Sequence, residues 1–359
     1  MMPVVKAARR ETSFKTTVAV TGQHRQMLDQ VFTFFGEEPD IDLNLMAPNQ
    51  TLAEITANVV VRMAQVLADL KPDVMLVHGD TTTAMAAAIA GFYNRVTIGH
   101  VEAGLRSNHL QRPWPEEFNR VAIDAIADYM FAPTQSAREN LLGEYNRRSK
   151  ILVTGNTGID ALLYVSKLID DDATLRRRMS KRYDFLGRSR DLILVTGHRR
   201  ESFGDGFERI CDGLLAVAQR PNVDVLYPVH LNPVVQTVVK QRLRGQSNIH
   251  LLEPVEYVDM VYLMKRAKVI VTDSGGIQEE GPALGRPVLV MRDVTERPEA
   301  LSTGVVQLIG TDPRRMQDEV ARLLDDETHY NASARRVFPY GDGTAAAKIV
   351  AFLKKELAT

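Results

Sequence analysis

One cysteine in 359 residues, Cys211, leaves no internal disulfide framework and no multi-cysteine zinc site. Neither sign of charge is in surplus. Lys plus Arg number 44 and Asp plus Glu 45, a net charge of −1 with an isoelectric point near 6.7. That balance argues against a chain holding nucleic acid by bulk charge, and no polybasic patch marks a membrane surface. Long apolar runs are missing too: the longest, around 84–92, falls far short of the ~20 residues of a membrane span. The N-terminus has no basic-then-apolar signal segment, which leads to the expectation of a cytoplasmic protein. His24, His78, His100 and His230 are spread over different strand ends with no i,i+4 pair, so no metal site is expected. Internal repeats, low-complexity tracts, a Walker-type loop and a Gly-x-Ser-x-Gly elbow are absent as well.

What remains is an ordinary globular mix, 45% hydrophobic and 25% charged. At ~150 residues per domain the length predicts two domains, or one large one. Short β-branched runs predict strands at 17–21, 73–78, 96–100, 129–132 and 150–154. A second set is expected at 192–196, 223–228, 250–252, 269–272, 288–291 and 305–309. Most are continuous apolar runs, as in strands buried on both faces, and helical patterns lie between them. The expected class is therefore α/β, built from parallel βαβ units. Ser136 with Glu139 reads as a capping box, and Pro115 precedes a helix over 116–128. The polar stretch 162–190, with Asp170, Asp171 and Asp172 in a row, is the expected domain boundary. The chain opens with a helical pattern over 1–10, where a doubly wound domain normally opens with its central strand and phosphate loop. Either the domain starts unconventionally or a strand lies upstream of Met1; the second reading is preferred.

Ligands of open parallel sheets bind beyond the carboxyl ends of the strands. Those ends carry Gln23-His24-Arg25, Gly79-Asp80-Thr81, Glu102-Ala103-Gly104, Gly155-Asn156-Thr157, Gly197 to Glu201, His230-Leu231-Asn232 and Asp273 to Gly276. Two domains each offering such an edge would enclose a cleft. Asp273-Ser274-Gly275-Gly276 before Ile277-Gln278-Glu279-Glu280 reads as strand, turn and helix N-terminus, suited to a phosphate, with a carboxylate one turn on for ribose hydroxyls. The plain alternative is a strand–helix turn that needs glycine for geometry. His198, Arg199 and Arg200 supply an imidazole and two cations, or else a surface run paired with Glu201. Arg297 is a further cation, or one half of a loop salt bridge. Asp80, Glu102 and Glu116 are the acid–base candidates, since clustered carboxylates can keep one member protonated while another is a base. Taken singly, Asp80 could be a helix cap, and Glu116 and Glu117 partners of a helix dipole. Gly341-Asp342-Gly343-Thr344-Ala345-Ala346 resembles a dinucleotide fingerprint, but no strand precedes it, so it is read as the turn opening a last helix over 345–357. Cys211 is read as a small core residue.

The stretches Val77 to Thr83, Gly99 to Arg106 and Trp114-Pro115-Glu116-Glu117 resemble the non-hydrolysing UDP-N-acetylglucosamine 2-epimerases of bacteria. So do Gly197 to Glu201, Tyr227 to His230, Thr272 to Glu280, Thr295 to Glu299 and Pro339 to Gly343, nearly end to end and in the family's order. The resemblance implies two facing Rossmann-like domains of the glycosyltransferase-B type with the active site in the interdomain cleft, and a homodimer. The domains would cover 1–165 and 166–340, with 341–359 a helix packing back on the first. It implies interconversion of UDP-N-acetylglucosamine and UDP-N-acetylmannosamine for surface polysaccharides, with no cofactor, metal, nucleic acid or membrane partner. UDP would leave carbon 1 as a base takes the carbon 2 proton, then add back to the glycal with protonation from the opposite face. By similarity Asp80, Glu102 and Glu116 are the carboxylates and His198 acts near the diphosphate. Ser274, Gly275, Gly276, Glu280 and Arg297, with the adjacent cation Arg199, would hold UDP. Gln23, Gln26 and His230 match an activating UDP-N-acetylglucosamine site of some members, although Asn58 stands where the family has an arginine.

The family opens with a strand ending in a Gly-Thr-Arg-Pro-Glu loop, and Met1-Met2-Pro3 aligns just after it. The first strand and two phosphate ligands are thus expected upstream of Met1, with weakened UDP binding and an unpaired slot in the first sheet as consequences. Three rival readings stand beside the epimerase: a hydrolysing 2-epimerase, a glycosyltransferase of the same fold, and a UDP-sugar-binding protein without turnover.

Overall fold

The apolar runs become the strands of three parallel sheets in the computed structural model. It describes every residue except His24, Pro48, 145–148, Arg188, 200–202 and Thr359; the side chains of Gln26 and Met27 also lie outside the described set. The chain divides into two units, Met1–Ala161 with Tyr340–Thr359, and Leu162–Pro339.

The first unit runs α1 (Met2–Arg10), β1 (Ala19–Val20), α2 (Arg25–Phe35), β2 (Ile41–Asp42), α3 (Leu52–Leu70), β3 (Val74–His78), α4 (Thr82–Tyr93) and β4 (Thr97–Val101). It continues through α5 (Glu116–Ile126), β5 (Tyr129–Ala132), α6 (Gln135–Gly143) and β6 (Lys150–Val153) into α7 (Thr157–Asp171). Strands β3, β4, β5 and β6 form one parallel sheet in that order, and β1 and β2 a separate parallel pair. Among the described residues β1 pairs only with β2, and β3 only with β4. Two-residue β2 gave no sequence signal because it is too short to show a period.

Side chains rather than propensity set several helix starts. Thr51 and Glu54 form a reciprocal capping box on α3, and Thr81 caps α4. The box expected at Ser136 and Glu139 is displaced: Thr134 caps α6 by accepting from the Ala137 N–H. Thr134 sits where the chain leaves β5, so the strand end decides the first turn. Stretch 162–190 is largely helical, and Asp172 caps the helix that follows α7.

The second unit comprises α8 (Ala173–Arg182), β7 (Asp191–Thr196), α9 (Asp205–Ala218), β8 (Val223–Pro228), α10 (Pro233–Leu243), β9 (Ile249–Leu252), α11 (Tyr257–Arg266) and β10 (Val269–Thr272). It ends with α12 (Gly275–Ala283), β11 (Val288–Val290), α13 (Pro298–Ser302), β12 (Val306–Leu308), α14 (Pro313–Asp325) and α15 (Glu327–Ser333). Its six strands are all parallel, in the order β12-β11-β10-β7-β8-β9. Every residue of β8 and β10 is buried, as the continuous apolar runs require. Cys211 lies in the core with Ile193, Phe207 and Val225. Order reverses between β7 and β10, which puts the topological switch point at Gly197-His198 and Asp273-Ser274.

The last helix, α16 (Ala345–Leu357), returns to the first unit. Gly155 and Gly341, both at positive φ, let two backbones pass so closely that a Cβ on either would stand 2.8 Å from the other's Cα. Beside them the Asn156 N–H donates to the Tyr340 carbonyl at 2.6 Å. Thr344 supplies no side-chain cap, and Asp160 of α7 accepts from the N–H groups of Ala345 and Ala346 instead. Ile349 and Leu353 then pack with Val4, Val101 and Phe131. Among the described residues no helix is long and apolar enough to cross a membrane.

Candidate active site

In the first unit β3 and β4 pair along their whole length, with His78 opposite Val101, so the turns that follow them are neighbours. Asp80 stands in the first turn. Its Oδ2 accepts from Arg120 Nη2 at 2.5 Å, and its carbonyl accepts from Asn119 Nδ2 at 2.8 Å. Arg120 and Asn119 belong to α5, whose first residue is the half-buried Glu116. Three candidate carboxylates thus sit on two adjacent strand ends and the helix start bonded to one of them. Thr81, not Asp80, caps α4, so the plain reading of Asp80 as a helix cap does not hold.

Glu102 occupies the second turn at φ +72°, a left-handed conformation uncommon for a residue with a side chain. Its own N–H and that of Ala103 both donate to the Phe131 carbonyl, at 3.0 and 3.1 Å. The carboxylate lies 3.2 Å from His78 Nε2, and burial holds the His78 pKa below its ordinary value. Glu117 is a structural anchor: fully buried, it accepts from the N–H groups of Ser107 and Asn108 and from Arg120 Nη1 at 2.9–3.0 Å. Gln23 Oε1 accepts from the Thr83 hydroxyl at 2.6 Å, beside the start of α4. The side chain of Gln26 lies outside the described residues.

At the switch point of the second unit, Asp273 is fully buried and holds the loop after β7. Its Oδ2 accepts from the backbone N–H groups of His198 and Arg199 at 2.8 Å each, and its Oδ1 lies 3.4 Å from His198 Nδ1. Burial keeps the His198 pKa below its ordinary value; Asp273 opposes this, while Arg199 and His230 reinforce it. The His198 side chain is half-buried, 41% of it exposed. His230 stacks on it, ring centroids 5.4 Å apart. Arg200 and Glu201, the other charges of that run, lie outside the described residues.

Ser274 is the N-cap of α12, with no side-chain cap, and Gly275 and Gly276 are its first residues. Arg297 Cζ lies only 3.1 Å from where a Cβ on Gly275 would stand. The guanidinium donates to Glu279 Oε1 at 2.9 Å and to Glu296 Oε1 at 2.7 Å. Arg292 donates to the other oxygen of Glu296 at 2.9 Å, and Arg199 stands 3.8 Å away. Burial works against the Glu296 charge, but Arg297 and Arg292 outweigh it and hold its pKa down at about 2. Three guanidinium groups, of Arg199, Arg292 and Arg297, gather around Glu296 beside a helix N-terminus with no side-chain cap, a setting that suits an anion. The Arg199 Nε is buried without a hydrogen-bond partner among the described residues. One turn into α12, Glu280 accepts from the Tyr257 hydroxyl at 2.7 Å, and burial pushes its pKa up to about 7. Among the described residues no group of three His, Cys, Asp or Glu side chains could hold a metal ion.

A glycine-rich helix N-terminus at the switch point of one unit and carboxylates on adjacent strand ends of the other are features that nucleotide-sugar chemistry calls for. The family model for UDP-N-acetylglucosamine 2-epimerase matches residues 6–354. The chain belongs to the UDP-N-acetylglucosamine 2-epimerase family. It is 52% identical to the UDP-N-acetylglucosamine 2-epimerase of Yersinia pestis, covering 100% of this chain and 96% of that protein. The crystal structure of UDP-GlcNAc 2-epimerase from Neisseria meningitidis bound to UDP-GlcNAc is similar at 43% identity and TM-score 0.94, over 99% of this chain and 96% of that one. The Methanocaldococcus jannaschii enzyme in complex with UDP-GlcNAc and UDP matches at 30% identity and TM-score 0.83, over 99% and 95% of the two chains.

In this epimerase-family chain several residues around the candidates escaped sequence reasoning. Glu117, Arg120 and Asp124 recur at i, i+3 and i+7 on the buried face of α5, where apolar residues are the norm. That helical period of charged residues is a signal readable in the sequence. In the sequence Asp273 reads as a turn residue and no local pattern points to Tyr257 or Glu279; the loop salt bridge considered for Arg297 is present, with the adjacent Glu296.

Proposed function

We propose that this chain interconverts UDP-N-acetylglucosamine and UDP-N-acetylmannosamine without releasing the nucleotide. The observation that carries the reading is family membership over residues 6–354. The C1–O bond breaks with its electron pair going to UDP, while a carboxylate of the first unit takes the carbon 2 proton. Re-addition of UDP to the glycal, with a proton delivered from the other face, gives the epimer. The sequence of steps is redox-neutral and consumes nothing but the substrate. Asp80, Glu102 and Glu116 move the protons, because general acid–base work at carbon needs paired carboxyl groups whose environments differ. Arg120 on Asp80 and His78 on Glu102 make those environments different. Ser274, Gly275, Gly276, Arg199 and Arg297 hold the diphosphate, His198 lies beside it, and Glu280 takes the ribose hydroxyls.

As in the family it resembles, the chain works as a cytoplasmic homodimer supplying precursors of surface polysaccharide. Gln23, Gln26 and His230 are the candidates for an activating site; the stacking of His230 on His198 favours influence on the diphosphate side.

Incubation with UDP-N-acetylglucosamine in deuterated water tests the reading. Deuterium at carbon 2 of both UDP-sugars, with the nucleotide retained, is the expected result. Accumulation of free N-acetylmannosamine and UDP would give the reaction to the hydrolysing class, and binding without exchange would leave a UDP-sugar-binding protein.

A further inference from the structure

His100 lies on β4, between β3 and β5, and its side chain is wholly buried. Both ring nitrogens face acceptors. Nδ1 is 2.6 Å from Asp124 Oδ1, and Nε2 is 2.9 Å from the Gly79 carbonyl. An imidazole with an acceptor on each side carries a hydrogen on each nitrogen, so the ring is an imidazolium. Burial opposes that charge, yet Asp124 outweighs it and raises the His100 pKa above its ordinary value. Asp124 is held in the charged form in turn, because His100 and Arg106 outweigh its own burial.

The second oxygen of Asp124 reaches further. It accepts from the Gly104 N–H at 3.1 Å and from Arg106 Nη2 at 2.7 Å. Arg106 is pinned by Glu144, through Nε at 2.7 Å and Nη2 at 2.6 Å. Gly79 precedes Asp80, and Gly104 is two residues after Glu102. One buried chain of charges therefore holds the carbonyl that opens one turn and the amide that closes the other. Besides Asp124, the titratable groups that act on His100 include Glu102, which faces His78; Arg106 acts on Asp124. Burying three charges is costly, and well-packed apolar residues commonly serve stability as well. What they do provide is a set direction and spacing for two carboxylates.

We propose that His100, clamped between Asp124 and the Gly79 carbonyl, is a positioning residue that sets the Asp80 and Glu102 turns for proton transfer at carbon 2. This rests on the reading of Asp80 and Glu102 as acid–base groups. Misplacing a reacting group by an ångström can lower a rate by about 100-fold without touching substrate affinity.

The test compares His100→Asn with His100→Gln. The Asn amide takes the place of Nδ1 and loses the Gly79 bond; the Gln amide takes the place of Nε2 and keeps it. We expect kcat to fall by about 100-fold in H100N and by no more than about tenfold in H100Q. KM for UDP-N-acetylglucosamine should stay within about threefold of wild type in both, because the proposed UDP ligands lie in the second unit. Equal losses in the two variants, a rise in KM in place of a fall in kcat, or an unchanged H100N would each overturn the proposal. Should H100N not fold, Asp124→Asn carries the same test, since its carboxamide oxygen still accepts from Gly104 without the charge that holds the imidazolium. Low kcat at unchanged KM in D124N supports the proposal, and wild-type kcat overturns it. Asp80→Asn and Glu102→Gln run alongside. If those two stay active the acid–base reading fails and takes this proposal with it; if they are dead while H100N is active, only the positioning role fails.

Discussion

Replacing Glu280 by glutamine separates what a buried charge does to the fold from what a carboxylate does for a ligand. Burial pushes this carboxyl up to about 7 from an ordinary 4.5, although the Tyr257 hydroxyl donates to it at 2.7 Å and pulls the other way. Between those two values the folded chain holds a proton that the unfolded chain has lost. Stability therefore falls as pH rises through that window, and it is undiminished below it. Each pH unit is worth about 1.4 kcal/mol, so above neutrality the ionised side chain costs the fold on the order of 3 kcal/mol. Glutamine keeps an oxygen for Tyr257 and cannot ionise. Urea denaturation should find E280Q and wild type equally stable below about pH 4, and the variant ahead by up to about 3 kcal/mol near pH 8. UDP affinity, measured by calorimetry near pH 8, should fall by about tenfold or more, because a carboxylate accepts from hydroxyl groups more strongly than an amide. Stability curves that run parallel from acid to alkaline pH would refute the reasoning about burial. Unchanged UDP affinity would remove Glu280 from the ribose site.

Gly104→Ala should destabilise the first unit by about 3 kcal/mol or more in thermal denaturation, because its φ is +86° and the new methyl would stand 2.3 Å from the Ala137 carbonyl oxygen. A loss under about 1 kcal/mol would mean that the turn after Glu102 is not held as tightly as described. Cys211, buried in the second core with its thiol pushed up to about 12, should resist a disulfide reagent near pH 8 until the chain is denatured. Rapid labelling of the native protein would contradict that.

Strand placement was largely legible because buried parallel strands are continuous apolar runs, and all eleven expected strands lie in the three sheets. The last helix was legible as well, at 345–357, from the turn residues ahead of it. Where the reading slipped, local signals competed. Ser136 and Glu139 have the spacing of a capping box, but Thr134 at the strand exit takes the role. The polar stretch 162–190 is the expected domain boundary, and the two units divide at its start, between Ala161 and Leu162; within it Asp172 is a helix cap and Asp170 pairs with Lys265, 95 residues away in the chain.

The sequence by itself determined the α/β class, the strands and the candidates at their carboxyl ends, because helix and strand periods and glycine-rich turns are local properties of the chain. It also carried the family. Only tertiary structure decided which groups stand together: Arg120 between Asp80 and Glu117, His100 between Asp124 and the Gly79 carbonyl, and Asp273 under the His198 loop. Several of those partners are 20 to 80 residues apart. They meet because of the order in which parallel strands are laid side by side, and a period in the chain does not encode that order. The same assembly decided the electrostatics, since burial and a specific neighbour, rather than residue type, raise the His100 pKa and lower that of His198.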